Sequence, residues 1–326
     1  YVDGVTYTDA IGFGTTAMTL PTADGSNGQV LKTDGSGTLS WTANSGSGAS
    51  NITGLSDALT EDNSVYLGSD PSSTTSTAEG NTAVGTSALD VVTTGDGNVA
   101  VGHNVLHGLT TGTRNIAIGL GALDVPDTEN DNIAIGYDAL GGSVAGGEYN
   151  IAIGNYSLDA NTTGDDNTAI GYLSLSANTT GYYNTAIGRQ ALEDNTSGHS
   201  NTAIGRLTLY NNTTGVSNLS IGNFSLAANT TGSRNTALGF GALDGSDTEN
   251  DNLAIGEEAL GGAIAGGEYN LSIGNYSMDA LTSGDGNTGV GYNAMTALTT
   301  GDGNVSLGRA SGTTITTGSN NTVIGK

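Results

Sequence analysis

The pattern Asn-x-Ala-Ile-Gly returns every seventeen residues through most of this chain. Its Asn stands at 81, 98, 115, 132, 150, 167, 184, 201, 218, 235, 252, 270, 287, 304 and 321. Two steps, 132 to 150 and 252 to 270, are eighteen residues long, and no copy is missing. A weaker copy, Val65-Tyr66-Leu67-Gly68, precedes the first. A repeat this short excludes most repeat architectures: helical repeats need about 33 to 47 residues and propeller blades about 40. Seventeen residues suit one rung of a parallel β-solenoid, whose strands rise about 3.3 Å per residue. The expectation is an all-β chain, a β-roll of 15 to 16 rungs.

Counted from the Asn, position 3 is nearly always Ala or Ser, position 4 is Val, Ile or Leu, and position 5 is always Gly. Position 9 is Leu or Met until Gly312, positions 13 and 14 are usually Thr-Thr, and position 15 is usually Gly. Thr-Ala-Ile alternates with the period of a strand. The Gly residues at these two positions are expected to supply turns with positive φ. The Asn side chains are expected to stack and hydrogen-bond along the axis. Asn115, Ile118, Gly119 and Leu123, and likewise Asn167, Ile170, Gly171 and Leu175, are therefore structural residues, with positions 4 and 9 forming the apolar core. Such a core is thin. Small residues at positions 3 and 8 would admit another backbone, so a homotrimer is expected, intertwined or side by side.

A larger repeat overlies the first. Asp127-Thr128-Glu129-Asn130-Asp131 returns as Asp247-Thr248-Glu249-Asn250-Asp251, and Ala-Gly-Gly-Glu-Tyr-Asn closes both long rungs. The offset of 120 residues is seven rungs. It reads as a duplicated block, which would place equivalent surface features about 34 Å apart.

Residues 1–47 read as an N-terminal module. A β-hairpin spans Gly28 to Trp41 around an Asp-Gly-Ser-Gly turn, and Trp41 is its expected core residue. Residues 48–62 read as a linker, with one short helical turn over 54–60. The solenoid then occupies 63–326. The chain opens on Tyr1 rather than Met and is read as part of a longer or processed polypeptide.

With 32 acidic against 7 basic residues the net charge is −25, which argues against nucleic-acid binding. No apolar run is long enough for a membrane span. Cys is absent, which removes disulfides, thiolate metal sites and Cys nucleophiles. No nucleophile motif or compelling acid–base pair stands out, so no enzymatic activity is expected. No resident cofactor is expected either. Loosely held Ca²⁺ at Asp-rich turns such as Gly95-Asp96-Gly97-Asn98 is the one metal candidate, and solvated acidic turns are the preferred account of those residues. His103 and His107 lie four apart, but a β rung does not place them on one face. The candidate ligand contacts are Tyr172, Tyr182, Tyr183, Arg189 and Arg206, in turns that vary between rungs; aromatic rings stack on sugars and Arg adds hydrogen bonds.

The Asn-Thr-Ala-Ile-Gly-x-x-Ala-Leu and Asn-Thr-Thr-Gly rungs resemble those of bacteriophage tail fibres, and are similar to the heads of trimeric autotransporter adhesins. Leu20-Pro21-Thr22-Ala23-Asp24-Gly25 through Thr38-Leu39-Ser40-Trp41-Thr42 resembles a phage-fibre module. The resemblance implies a trimeric structural protein on a virion tail or cell surface that meets a host glycan or protein receptor. A bacterial adhesin or extracellular filament is the alternative. An ice-binding face on the Thr-Thr ladders is a third reading, weakened by the Asp-rich rungs that interrupt it.

Overall fold

The computed structural model describes residues 10–13, 16–19, 29–33, 38–43, 58–61, 63–68, 71, 77–125, 128–142 and 146–325. The chain divides into two compact units, Tyr1–Ser56 and Asp57–Lys326.

The first unit holds two hairpins. Strands β1 (Ala10–Phe13) and β2 (Thr16–Thr19) pair antiparallel, as do β3 (Gln29–Thr33) and β4 (Leu39–Ala43). The second is the hairpin read around the Asp-Gly-Ser-Gly turn. Trp41 pairs with Leu31 across it and is 38% exposed, so it is not the buried residue expected there. Its cross-strand partner Leu31 is likewise exposed, at 40%, so the two described strands do not enclose the pair.

The second unit begins with β5 (Ala58–Glu61), antiparallel to β6 (Ser64–Leu67). The helical turn expected at 54–60 is thus a strand where the chain is described, and residues 54–57 lie outside the described residues, as does most of the 48–62 linker. Asn63, at φ 61°, turns the hairpin. From β6 onward every strand is parallel to the last. Strands β7 (Thr82–Val84) to β21 (Thr322–Ile324) each cover positions 2 to 4 of one rung. They stack in strict register, as in Thr185↔Thr202, Ala186↔Ala203 and Ile187↔Ile204. This is a parallel β-solenoid with one three-residue strand per rung from β7 onward. The turns stay in the ladder as well: Leu158 N–H donates to Ser174 O at 3.0 Å and Ala177 N–H to Glu193 O at 2.9 Å. The circuit therefore satisfies its backbone from rung to rung.

The core is arranged differently from the expectation. Position 3 points inward and position 4 outward. Ala117, Ala169 and Ala186 are fully buried, while Ile118 is 38% exposed and Ile170 only half-buried. Leu at position 9, such as Leu123 and Leu175, reaches across the interior and is fully buried. A rung this narrow leaves only a methyl's width opposite that Leu. The small residues at positions 3 and 8 are thus filled against their own chain, and do not receive a neighbour's backbone. The Leu adopts left-handed φ, 47° at Leu123 and 51° at Leu175, a strained setting offset by complete burial.

The position-1 Asn runs through the core as a ladder. In the seventeen-residue rungs from Asn81 to Asn304 its amide nitrogen donates to the carbonyl of position 15, in the two long rungs to that of position 16, and its oxygen accepts from the next Asn's backbone N–H. A second ladder, at position 12, links Asn161, Asn178, Asn195, Asn212 and Asn229 with amide contacts of 2.8–2.9 Å. The two Gly positions differ in kind. Position 5 has positive φ throughout, whereas position 15 residues such as Gly164 and Gly181 do not. At Gly164 and Gly181 the next rung's carbonyl oxygen leaves no room for a Cβ.

Candidate binding surface of the solenoid

Stacking at about 4.8 Å brings every position into a column along the axis. The outward face of the sheet carries columns 2 and 4. All thirty residues there, two in each of fifteen rungs, are Thr, Val, Ile or Leu. Ile187, Ile204 and Ile221 are each more than a third exposed. In a chain with 32 acidic residues, this strip bears no charge.

Beyond the turn at the position-5 glycine, column 6 and its neighbour 7 form a ridge of rings and guanidinium groups. Tyr137 and Tyr156 meet edge to face at 5.1 Å between centroids, and Tyr156 meets Tyr172 at 6.3 Å. The Arg189 guanidinium lies 5.8 Å from the Tyr172 ring centre. The duplication repeats this at an offset of 120. Tyr276 meets Tyr292 at 6.2 Å, and Arg309 lies 5.7 Å from the Tyr292 ring. The sequence reading missed Tyr156, Tyr276, Tyr292 and Arg309; aligning columns 6 and 7 across the 120-residue offset reveals them.

The five predicted contacts do not form one patch. Tyr172, Arg189 and Arg206 lie in column 6, and Arg206 covers Phe224 at 5.2 Å rather than a Tyr. Tyr182 and Tyr183 lie at positions 16 and 17, before the strand instead of after it. Tyr182 stacks flat on His199 at 4.5 Å and meets Tyr183 edge to face. The aliphatic strip separates the two groups. Each of the five Arg residues is engaged: three cover rings, while Arg114 and Arg234 pair with Asp131 and Asp251 one rung on, again 120 apart. The Arg114 and Arg234 guanidiniums hold those two carboxyls below the usual range.

Column 10 carries a carboxylate in six of its fourteen rungs. Burial pushes up the carboxyl of Asp124, Asp159, Glu193, Asp244 and Asp279, with neighbouring carboxylates adding to it at several of them. Asp159 rises to about 6, driven first by burial and then by Asp138 and Glu193, with its own backbone N–H opposing. A carboxyl raised in the native state stabilises it fully below the ordinary value near 3.9, and that stability fades as pH rises through about 6. Asp159→Asn is therefore expected to raise the melting temperature at pH 7 by about 1–2 °C. The gain should vanish between pH 6 and pH 4; a gain unchanged with pH would contradict the assignment.

The Asp-rich turns have an internal explanation. Asp165 and Asp285 each accept a backbone N–H from the rung before, from Glu148 and Glu268, at 2.8 and 2.9 Å. Glu249 replaces Gly at position 15. Burial raises its carboxyl, but N–H donors from Gly266, Asp247 and Thr248 outweigh this and hold it below the usual range. Among the described residues no three His, Asp or Glu side chains are placed to hold a metal ion. His107 instead pairs with Asp90 at 2.7 Å. Thr hydroxyls at position 13 point along the axis, Thr162 to Thr179 O at 2.8 Å, and so are taken up internally.

No family model, curated protein or solved structure matches the chain. What the fold defines is a class: a parallel β-solenoid with an aliphatic sheet face and a duplicated aromatic ridge. No helix among the described residues is long and apolar enough to cross a membrane.

Proposed function

We propose that this chain is a structural, non-enzymatic segment of an extracellular or virion fibre, assembled as a homotrimer and used in host attachment. The phage tail fibre is the preferred setting. The observation that carries the reading is the aliphatic strip. It extends roughly 67 Å and covers on the order of 700 Å², close to the ~800 Å² each partner gives a standard interface. Typical monomers keep their largest apolar patch at about 300–600 Å². A strip so long and uniformly uncharged fits burial against further copies. Three copies around an axis would close it while leaving the aromatic ridges outward, where two equivalent ridges give a receptor two points of contact. The bacterial adhesin or filament shares this architecture.

Sedimentation equilibrium tests the assembly. The expected mass is about 97 kDa, three times the chain's 32.3 kDa. Placing lysine at Ile187 and Ile204 together should yield monomers that keep their β-sheet circular dichroism. A wild-type monomer would refute the trimer. Electron microscopy of the native source then separates fibres on virion tails from filaments on cells.

A further inference from the structure

Phe224 and Phe240 border a groove that the aromatic ridge alone does not account for. It crosses the four rungs beginning at Asn201, Asn218, Asn235 and Asn252, and encloses about 620 Å³. Pockets that hold small ligands span about 300–1,000 Å³. The two rings meet at 5.8 Å, edge to face, and Phe240 is half exposed. Tyr210 continues the wall, Ala227 leaves room beside it, and Asp244 and Glu258 complete the lining.

These two carboxylates are what give the groove a chemistry. The Glu258 side chain lies across two glycines. A Cβ on Gly241 would sit 2.7 Å from one carboxylate oxygen, and one on Gly261 would sit 2.8 Å from the other. Burial, Asp244, Glu257 and Asp279 all act against its charge, and no cation acts in its favour. Asp244 is half-buried, and only backbone N–H groups relieve it. The duplicated block shows the contrast. There the equivalent Asp124 faces His107 and His103, and Asn104 and Leu120 stand where Phe224 and Phe240 do. One copy of the surface has thus become an aromatic groove ending in two carboxylates without a counter-ion.

We propose that this groove binds a lysine side chain of a partner protein, its hydrocarbon stem against Phe240 and its ammonium at Asp244 and Glu258. The chemistry selects this ligand. Apolar walls suit a methylene stem, and the two carboxylates lack a cation. A sugar would find few neutral hydrogen-bonding groups there, chiefly Asn211 and Tyr210. The inference goes beyond the fibre reading and does not depend on it, because a single chain supplies the whole groove.

The test is ligand-observed saturation-transfer NMR on the full chain in its native assembly. The probes are an acetylated pentapeptide with a central lysine, the same peptide with norleucine, and a glucosamine oligomer. The lysine peptide is expected to bind about fivefold or more tightly than the norleucine peptide. Glu258→Gln should remove most of that advantage while leaving norleucine binding unchanged. Phe240→Ala should weaken both peptides, with sedimentation and circular dichroism unaltered. Equal binding of the two peptides, a preference for the amino sugar, indifference to both substitutions, or no lysine binding at about 10 mM would each overturn the proposal. None of these outcomes changes the sedimentation result, so the two readings fail separately.

Discussion

Alanine at Gly171 is expected to break the solenoid at that rung. Two costs coincide there. The residue has φ +138°, a region L side chains rarely adopt, and its Cβ would lie 2.5 Å from the carbonyl oxygen of Gly188. Backbone strain of this kind costs about 1–3 kcal/mol. The clash adds to it, because the obstacle is backbone and no side chain can swing away. Two other glycines separate the terms. Gly146 has φ +118° with nothing within 4 Å, so Gly146→Ala meets the strain alone. Gly164 has an ordinary φ, but its Cβ would lie 2.2 Å from Gly181 O, so Gly164→Ala meets the clash alone. Gly171→Ala should lose at least about 4 kcal/mol by denaturant unfolding, and Gly146→Ala about 1–2. Because rungs contact only their neighbours, limited proteolysis should cut the Gly171 variant near that rung and release two ordered fragments. Equal losses for Gly146→Ala and Gly171→Ala would show that rung-to-rung contact does not set the choice of Gly.

Much of the fold is legible in the sequence because the repeat is strict. Seventeen residues, one invariant Asn and one invariant Gly leave a parallel stack as the solution. What sequence alone does not settle is which side of the strand faces in. Alternation in Thr-Ala-Ile assigns Ala to one face and Thr with Ile to the other, and hydrophobicity favours Ile inside. The interior's width decides otherwise. Leu at position 9 already spans it, so only Ala or Ser fits opposite, and Ile is left outside. That inversion moves the argument for assembly from the small residues to the aliphatic strip.

The candidate contacts were half legible for a similar reason. Sequence distance misleads in a solenoid: Tyr172 and Tyr182 are ten residues apart yet stand on opposite sides of the strip. Tyr172 and Arg189 are seventeen apart and touch. Sorting residues by column position, and then by the 120-residue offset, recovers both Tyr–Tyr–Arg ridges. The groove at Phe224 and Phe240 needs more, since it depends on Ala227 and Ala228 at positions 10 and 11 coinciding with one ring in their own rung and another in the next.

Asn184→Asp is the sharpest probe of the internal ladder, because it changes one amide nitrogen into oxygen with no change of shape. Asn184 is fully buried. Its nitrogen donates to Gly198 O at 2.9 Å and to Asn167 Oδ1 at 3.1 Å, while its oxygen accepts from the backbone and side chain of Asn201. An ionised Asp here turns both donor contacts into oxygen against oxygen, with a buried charge besides. The loss at pH 7 is expected to exceed about 3 kcal/mol. The protonated acid can restore one donor bond, so the native state favours protonation and its carboxyl lies above the ordinary value near 3.9. Stability is then greatest below that value and falls as pH rises through the raised one. Asn184→Ala leaves the Gly198 carbonyl and the Asn201 N–H without partners, and should cost about 2–4 kcal/mol at any pH. The two variants are therefore expected to draw together in melting temperature at pH 4 and to separate at pH 7. Asn321, exposed in the last rung, supplies the control: Asn321→Asp should cost no more than about 0.5 kcal/mol. A pH-independent Asn184→Asp would mean that the ladder's amide nitrogens do not hold the rungs closed.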